Sequence, residues 1–304
     1  MQERKATSTV NKLRLKSAQY LDQHEGAVGL GLIGYHLWLM LAALAFLWNR
    51  SFLFGHFARL ASLADGVRFP WPLRGFEASD SSYRMVIDLA LGSTLIFSAL
   101  AIAFRKAGYW IQFVLKFIPW LAFFFVATPQ LSFGLDGGFH VAKVLGVFVM
   151  LASPNPGNEH RRLLAAFALL SIQVQVCFLY LSAFFHKVTG VQWQNGTALY
   201  YVFQNLDLVD AWLGNLLARA GVWIVVCSYL ALSFQLLFPF FIWNEGLRRT
   251  LLWAGVAFHS STALMMKIWF FSSILLVSYL FFLRKPEIEA LRVRWRELRQ
   301  TLSK

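Results

Sequence analysis

Apolar residues recur along this chain in runs close to the length that crosses a bilayer, about 17–25 residues for a helix. They fall at 27–48, 85–104, 109–127, 138–152, 163–185, 221–243, 250–266 and 268–283, separated by short polar or basic breaks. The fourth, seventh and eighth are short for a crossing and are expected to be tilted, partly re-entrant or packed inside the bundle. The pattern predicts an all-α, polytopic transmembrane helix bundle of about eight helices over 27–283. A polar, basic segment at 1–26 precedes it and is expected to be an interfacial helix on the cytoplasmic face. After Pro286, the residues Ile288, Leu291, Trp295, Leu298 and Leu302 make one apolar stripe on a charged helix, so 284–304 is expected to form a cytoplasmic amphipathic helix. It either lies on the inner leaflet or binds a partner helix. In the long 49–83 connection, Ser51 to Leu63 reads as a further interfacial helix and Pro70-Trp71-Pro72 as a rigid turn.

Composition sharpens this picture. Of 304 residues, 58% are hydrophobic and 14% charged, against about 45–50% and about 25% in soluble domains. The 30 Phe and 12 Trp fit a protein packed in lipid with rings at both interfaces. The net charge of +13 does not point to nucleic acid, because the basic residues gather in the tails and short loops. With the N-terminus inside, the segments assigned to the cytoplasm hold more than twice as many Lys and Arg as the outer ones. Both termini are therefore expected in the cytoplasm. The N-terminus has the charge of a signal-peptide n-region, but the first apolar run is long enough to span and is expected to be retained. Cys177 and Cys227 lie inside apolar runs and suggest neither a disulfide framework nor a metal site.

Polar groups inside these runs carry the candidate chemistry. Ionisable residues in a span cost about 2.5–3.5 kcal/mol on insertion scales. Asp88, Lys116, Lys143 and His259 are such residues, with His36 a weaker member. For the two lysines the structural alternative is an ion pair with Asp88 or snorkelling to an interface. Asp136, ahead of Gly137-Gly138, either caps the fourth helix or belongs to a site. The densest stretch is Tyr180 to Asn205, where an apolar helix meets His186-Lys187, breaks at Gly190 and passes through Trp193, Gln194, Asn195 and Thr197. Unpaired polar groups in lipid cost several kcal/mol each, so these are expected to face a protein interior or a watery cavity. Gln173, Tyr180 and Lys187 are one heptad apart and share a stripe, while Gln175, Ser182 and His186 lie on a neighbouring face. A lysine held in an apolar pocket loses its proton more easily than one in water and can serve as a general base. His259 or His186 is placed to orient a substrate there. Snorkelling at the outer boundary is the alternative for Lys187. Tyr200 and Tyr201 are read as interface anchors.

The run Lys187-Val188-Thr189-Gly190-Val191-Gln192-Trp193-Gln194-Asn195-Gly196-Thr197-Ala198 resembles the signature of the horizontally transferred transmembrane (HTTM) domain family. That family includes the membrane part of vitamin K-dependent gamma-carboxylase. Leu135-Asp136-Gly137-Gly138 and Ala257-Phe258-His259, leading through Met265-Met266 to Phe270-Phe271-Ser272, agree with it. The resemblance implies that Lys187 is the base that deprotonates a vitamin K-like quinol and that His259 lines the quinol pocket. Trp193, Asn195, Tyr180, His186 and Asp136 are then cofactor-binding candidates. The turn after Lys187 lacks the acidic residues of the animal enzymes, and no large soluble domain is expected. The run from Trp193 to Tyr201 is closer to a bacterial branch, similar to the membrane component that matures the sporulation-delaying peptide toxin. That branch implies a small peptide substrate and a partner maturation protein, with or without carboxylase or epoxidase-like chemistry. Membrane lipid is the other expected partner.

Overall fold

A computed structural model describes residues 2–24, 26–49, 80–127 and 137–302. The expected interfacial helix at 51–63, the Pro70-Trp71-Pro72 turn and Asp136 lie outside the described residues. Among the described residues every regular element is helical. In chain order these are α1 (Gln2–Gln23), α2 (Ala27–Trp48), α3 (Asp80–Ala103), α4 (Tyr109–Leu121), α5 (Gly138–Leu151), α6 (Glu159–Val188) and α7 (Val191–Gln194). They continue with α8 (Ala198–Gln204), α9 (Ala211–Leu217), α10 (Val222–Phe241), α11 (Glu245–Met265), α12 (Trp269–Tyr279) and α13 (Lys285–Leu302).

Helices occur at each predicted apolar run, but their lengths differ. Four are long and apolar enough to cross a membrane: Ala27–Trp48, Arg84–Ala103, Glu159–Val188 and Val222–Phe241. Tyr109–Phe124, Gly138–Leu151 and Trp269–Phe282 are apolar but shorter. Pro119 lies inside α4, and the helix widens into a π-helical segment over Ala122–Ala127. A proline removes one backbone donor and its ring crowds the carbonyl four residues earlier, that of Leu115, so its own effect falls within α4 ahead of the π-segment. The long helices carry apolar side chains outward, as lipid-facing helices do: Leu41 and Leu44 on α2, Leu89 and Ile96 on α3, Phe167 and Phe178 on α6, Leu230 and Phe240 on α10.

The chain divides into two compact units, with the division inside α6 after Ile172. The first contains residues 1–135, 140–172 and 280–304. Its core joins α2, α3, α4 and α5 through polar side chains that satisfy helix carbonyls. Tyr35 Oη donates to the carbonyl of Ala142 at 3.1 Å, and Trp120 Nε1 to that of Lys143 at 2.8 Å. Lys116 is 2% exposed, and its Nζ donates to the carbonyl of Ala152 at 2.6 Å, just past the end of α5. The last carbonyls of a helix lack intrahelical partners and carry the negative end of its dipole, so a buried ammonium is well placed there. Lys116 is therefore held by a helix end rather than by an ion pair with Asp88 or an interface. Asp88 and Lys143 are only half-buried.

The second unit contains residues 136–139 and 173–279. Its core is aromatic: Tyr180 on α6 packs against Phe234 and Phe238 on α10, and Phe238 stacks on Tyr279 of α12. Asn244 caps α11 by accepting from the N–H groups of Gly246 and Leu247 at 2.9 and 3.2 Å. Thr262 and Ser272 join their hydroxyls at 2.9 Å, tying α11 to α12.

Candidate functional site

Within the second unit, α6 carries candidate residues at two levels one heptad apart. Seven residues of helix rise about 10 Å while turning only about 20° short of two full turns, so Tyr180 and Lys187 project from nearly the same side. The lower level is buried. Tyr180 Oη lies 2.6 Å from His259 Nε2 and is also hydrogen-bonded to Tyr279 Oη. Tyr180 and His259 are each 1% exposed, and Tyr279 is buried. Phe258 and Phe271 pack edge-on to the histidine ring. His259 Nδ1 is buried and has no hydrogen-bond partner among the described residues.

The protons of this chain can be counted. Two hydroxyls and one neutral imidazole bring three hydrogens, while two hydrogen bonds consume two of them. If the chain points toward the histidine, Tyr279 donates to Tyr180 and Tyr180 to Nε2, leaving the spare hydrogen on Nδ1. If it points the other way, the spare hydrogen is on Tyr279 Oη. Leaving a bare Nδ1 lone pair and a free hydroxyl rotor is a different local cost from burying an unpaired N–H, and both are costs. Tyr180 Oη is therefore the link between the other two side chains, bonded to His259 on one side and to Tyr279 on the other.

The upper level is partly open. Lys187 is half-buried, and its Nζ sits 5.6 Å from the centre of the Trp193 ring. Among the described residues no carboxylate pairs with this ammonium. A cation over an indole face gains about 0.5–1 kcal/mol at an exposed site and more when desolvated. The connection that carries Trp193 is built as a fixed platform. The N–H of Gly190 closes the end of α6 on the carbonyl of Lys187 at 2.9 Å, and Gln194 Nε2 reaches the carbonyl of Val188 at 3.0 Å. Asn195 Oδ1 accepts from both the N–H and the hydroxyl of Thr197, at 3.1 and 2.6 Å. Tyr229 Oη donates to the carbonyl of Gln194 at 2.7 Å, binding the platform to α10. Gly196 has φ of 75°, and a Cβ there would come within 2.7 Å of Val225 Cγ1, so both backbone and space call for glycine.

Of the residues singled out in the sequence, Tyr180 and His259 are thus in contact, and Lys187 and Trp193 are in contact. Asn195 is exposed and spends its side chain on closing its own turn. His186 is exposed and lies on another side of α6 from Tyr180. Asp136 lies outside the described residues. Tyr279 escaped the sequence reading. Its one signal was a hydroxyl at the end of an apolar run, which on its own looks like an interface anchor. Lys267 holds a neighbouring loop: its Nζ meets Asp210 Oδ1 and the carbonyl of Leu206, both at 3.0 Å. No group of His, Cys, Asp and Glu able to hold a metal ion occurs among the described residues.

Compared with known proteins, the chain is similar to the sporulation-delaying protein SdpB of Bacillus subtilis (strain 168). The two are 26% identical over 158 residues, covering 46% of this chain and 48% of SdpB. The chain thus matches about half the length of that curated relative. No family model matches the sequence, and no solved structure matches it.

Proposed function

We propose that this chain is a multi-pass protein of the inner or plasma membrane that matures a small secreted peptide of the sporulation-delaying toxin type, together with a partner protein. The likeness to SdpB carries this reading, and the helices long and apolar enough to span a membrane accord with it. The reading takes about eight crossings with both termini in the cytoplasm. Its working site is Lys187 with the Trp193 ring, on the buried Tyr180–His259–Tyr279 base. In this reading Lys187 meets the peptide or its reacting group, and the platform at 190–197 fixes the indole beside it. The test is deletion of the gene in its native host, followed by mass spectrometry of the secreted peptides. One peptide is expected to vanish or change mass, and to return when the gene is restored. An unchanged set of secreted peptides would remove the reading.

A second reading adds chemistry to the same site: a carboxylase-like modification in which Lys187 is the general base. The observation in its favour is an amine beside an aromatic face with no paired carboxylate among the described residues. A quinol of the vitamin K class, oxidised by molecular oxygen, would supply the strong base that takes a C–H proton from the peptide so that carbon dioxide can add there. Lys187 would accept the quinol's proton and Trp193 would flank its ring. Mass spectrometry of small molecules extracted from purified protein separates the readings. A quinone bound to the wild type and weakened in Lys187→Ala supports the redox reaction. Recovery of bulk phospholipid alone from both leaves the maturation role without it.

A further inference from the structure

The C-terminal helix has a shape the rest of the fold does not explain. At its base, Ile288 is buried, and its side chain approaches Gly26, which sits between α1 and α2 with φ of 85°. A Cβ at Gly26 would lie 3.4 Å from Ile288 Cδ1 and Cγ2 and from Arg292 Nη2. Within the first unit this places the start of α13 beside the N-terminal end of the membrane-length helix α2. Beyond that contact, every described residue from 289 to 301 is exposed. Leu291, Trp295 and Leu298 are 49%, 67% and 56% exposed, although they form a single stripe.

The charges are arranged around that stripe. At 100° per residue, Ile288, Leu291, Trp295 and Leu298 share an arc of roughly 80°. Arg292, Arg296 and Arg299 border it on one side and Glu287 and Arg294 on the other, with Glu289 beyond Arg296 and Glu297 on the far face. Glu287 is used at the helix start, where its Oε2 accepts from the N–H of Arg284 at 2.7 Å. Arg292 and Arg296 are four apart, a like-charge pair that disfavours a helix in water. The exposed part, 289–301, is also of a length at which an isolated helix is marginal in water. Both faults disappear if an anionic surface faces the arginines and an apolar layer takes the stripe. Arginine stems can then lie along the apolar boundary with their heads outward, and tryptophan favours that depth. From Arg292 onward the charges bordering the stripe are all arginine, whereas a partner helix in a coiled coil would want flanking charges of both signs.

We propose that α13 is a docking surface for anionic phospholipid, lying in the headgroup layer at the face where α2 begins, with Trp295 at the centre of the buried stripe. The basic α1 leaves from the same point, with Arg14 paired to Glu159 at 3.1 Å at the start of α6. The surface is thus a property of that end of the first unit and is independent of the Lys187 site.

The test is hydrogen–deuterium exchange on the full chain in nanodiscs, comparing pure phosphatidylcholine with equal parts phosphatidylcholine and phosphatidylglycerol. Each arginine near an anionic surface is worth about a fivefold shift in equilibrium, so amides of 291–301 are expected to exchange more than about tenfold slower in the mixed bilayer. High salt should remove the difference. Replacing Arg292, Arg296 and Arg299 together with Glu should also abolish it, leaving α2 protection intact. Equal exchange in the two bilayers would overturn the proposal. So would protection that tracks protein-to-disc ratio instead of lipid charge, which would mean a second protein covers the stripe.

Discussion

Lys116 and Lys187 both stand in apolar helices, yet their surroundings differ in kind. Lys116 is almost wholly buried and spends its ammonium on the carbonyl of Ala152, completing the end of α5. Lys187 is half-exposed, sits over the Trp193 ring, and has no carboxylate partner among the described residues. The deeper lysine is the one the fold has already used. The shallower one is held by an aromatic face that leaves its hydrogens free for something else. An ionisable residue in a span is thus a functional candidate only after the helix ends nearby have been checked for carbonyls that need a donor.

Exchanging the roles of the two lysines is the strongest way to break that comparison. Lys187→Ala and Lys187→Arg are expected to abolish peptide maturation while leaving expression and the unfolding midpoint in detergent near wild type. Arginine keeps the charge but cannot give up its proton, so its failure would point to the amine itself. If both variants mature the peptide normally, Lys187 is a snorkelling residue and the site lies elsewhere.

The buried base should respond in stability. Tyr180→Phe removes the hydroxyl that bonds both His259 and Tyr279, leaving two buried partners unsatisfied, each at about 1–3 kcal/mol. A loss of about 3 kcal/mol is therefore expected. Tyr279→Phe strands only one group and should cost about half as much. Their double variant should cost less than the sum, because the residues share one network. Additive losses in thermal unfolding would show that the hydroxyls act separately.

How much of this was legible in the sequence depends on whether the cause is local. Helices fell where the apolar runs were, because burial of a continuous apolar surface and internal backbone hydrogen bonding dictate helix in lipid. The stripe of Tyr180 and Lys187 was readable for the same reason, since a heptad separation along one helix needs no tertiary knowledge. The Tyr180–His259–Tyr279 chain was not, because its members come from three helices and nothing in their spacing announces the meeting. Lys116 was noticed, but its acceptor is a main-chain carbonyl, which no side-chain pattern can reveal. Of the crossings expected to be short, 138–152 and 268–283 are short helices, whereas 250–266 lies in a helix of 21 residues. The 109–127 run, expected at full length, is the short one that was not foreseen, because hydropathy marks the apolar run and not where α-helix gives way to a π-segment.

On the structural side, Lys116→Met keeps the bulk of the side chain and deletes its donor. It should lower stability by about 1–3 kcal/mol through the unsatisfied Ala152 carbonyl. Lys187→Met should cost less, about 0.5–1 kcal/mol for the lost contact with the Trp193 face. The reverse order in thermal unfolding would mean that the Trp193 contact, not the helix end, is the anchoring interaction.

The smallest effect is expected at His186, beside Lys187 in sequence yet exposed. His186→Asn should change stability by no more than about 0.5 kcal/mol and leave peptide maturation at wild-type level. His259→Asn should lose both, because its ring nitrogen is bonded inside the Tyr180 network. Quantified peptide output from the two variants makes the distinction. Equal loss from both would mean that the functional surface extends around α6 past Lys187. Loss from His259→Asn alone would confine it to the side that Tyr180 and Lys187 share.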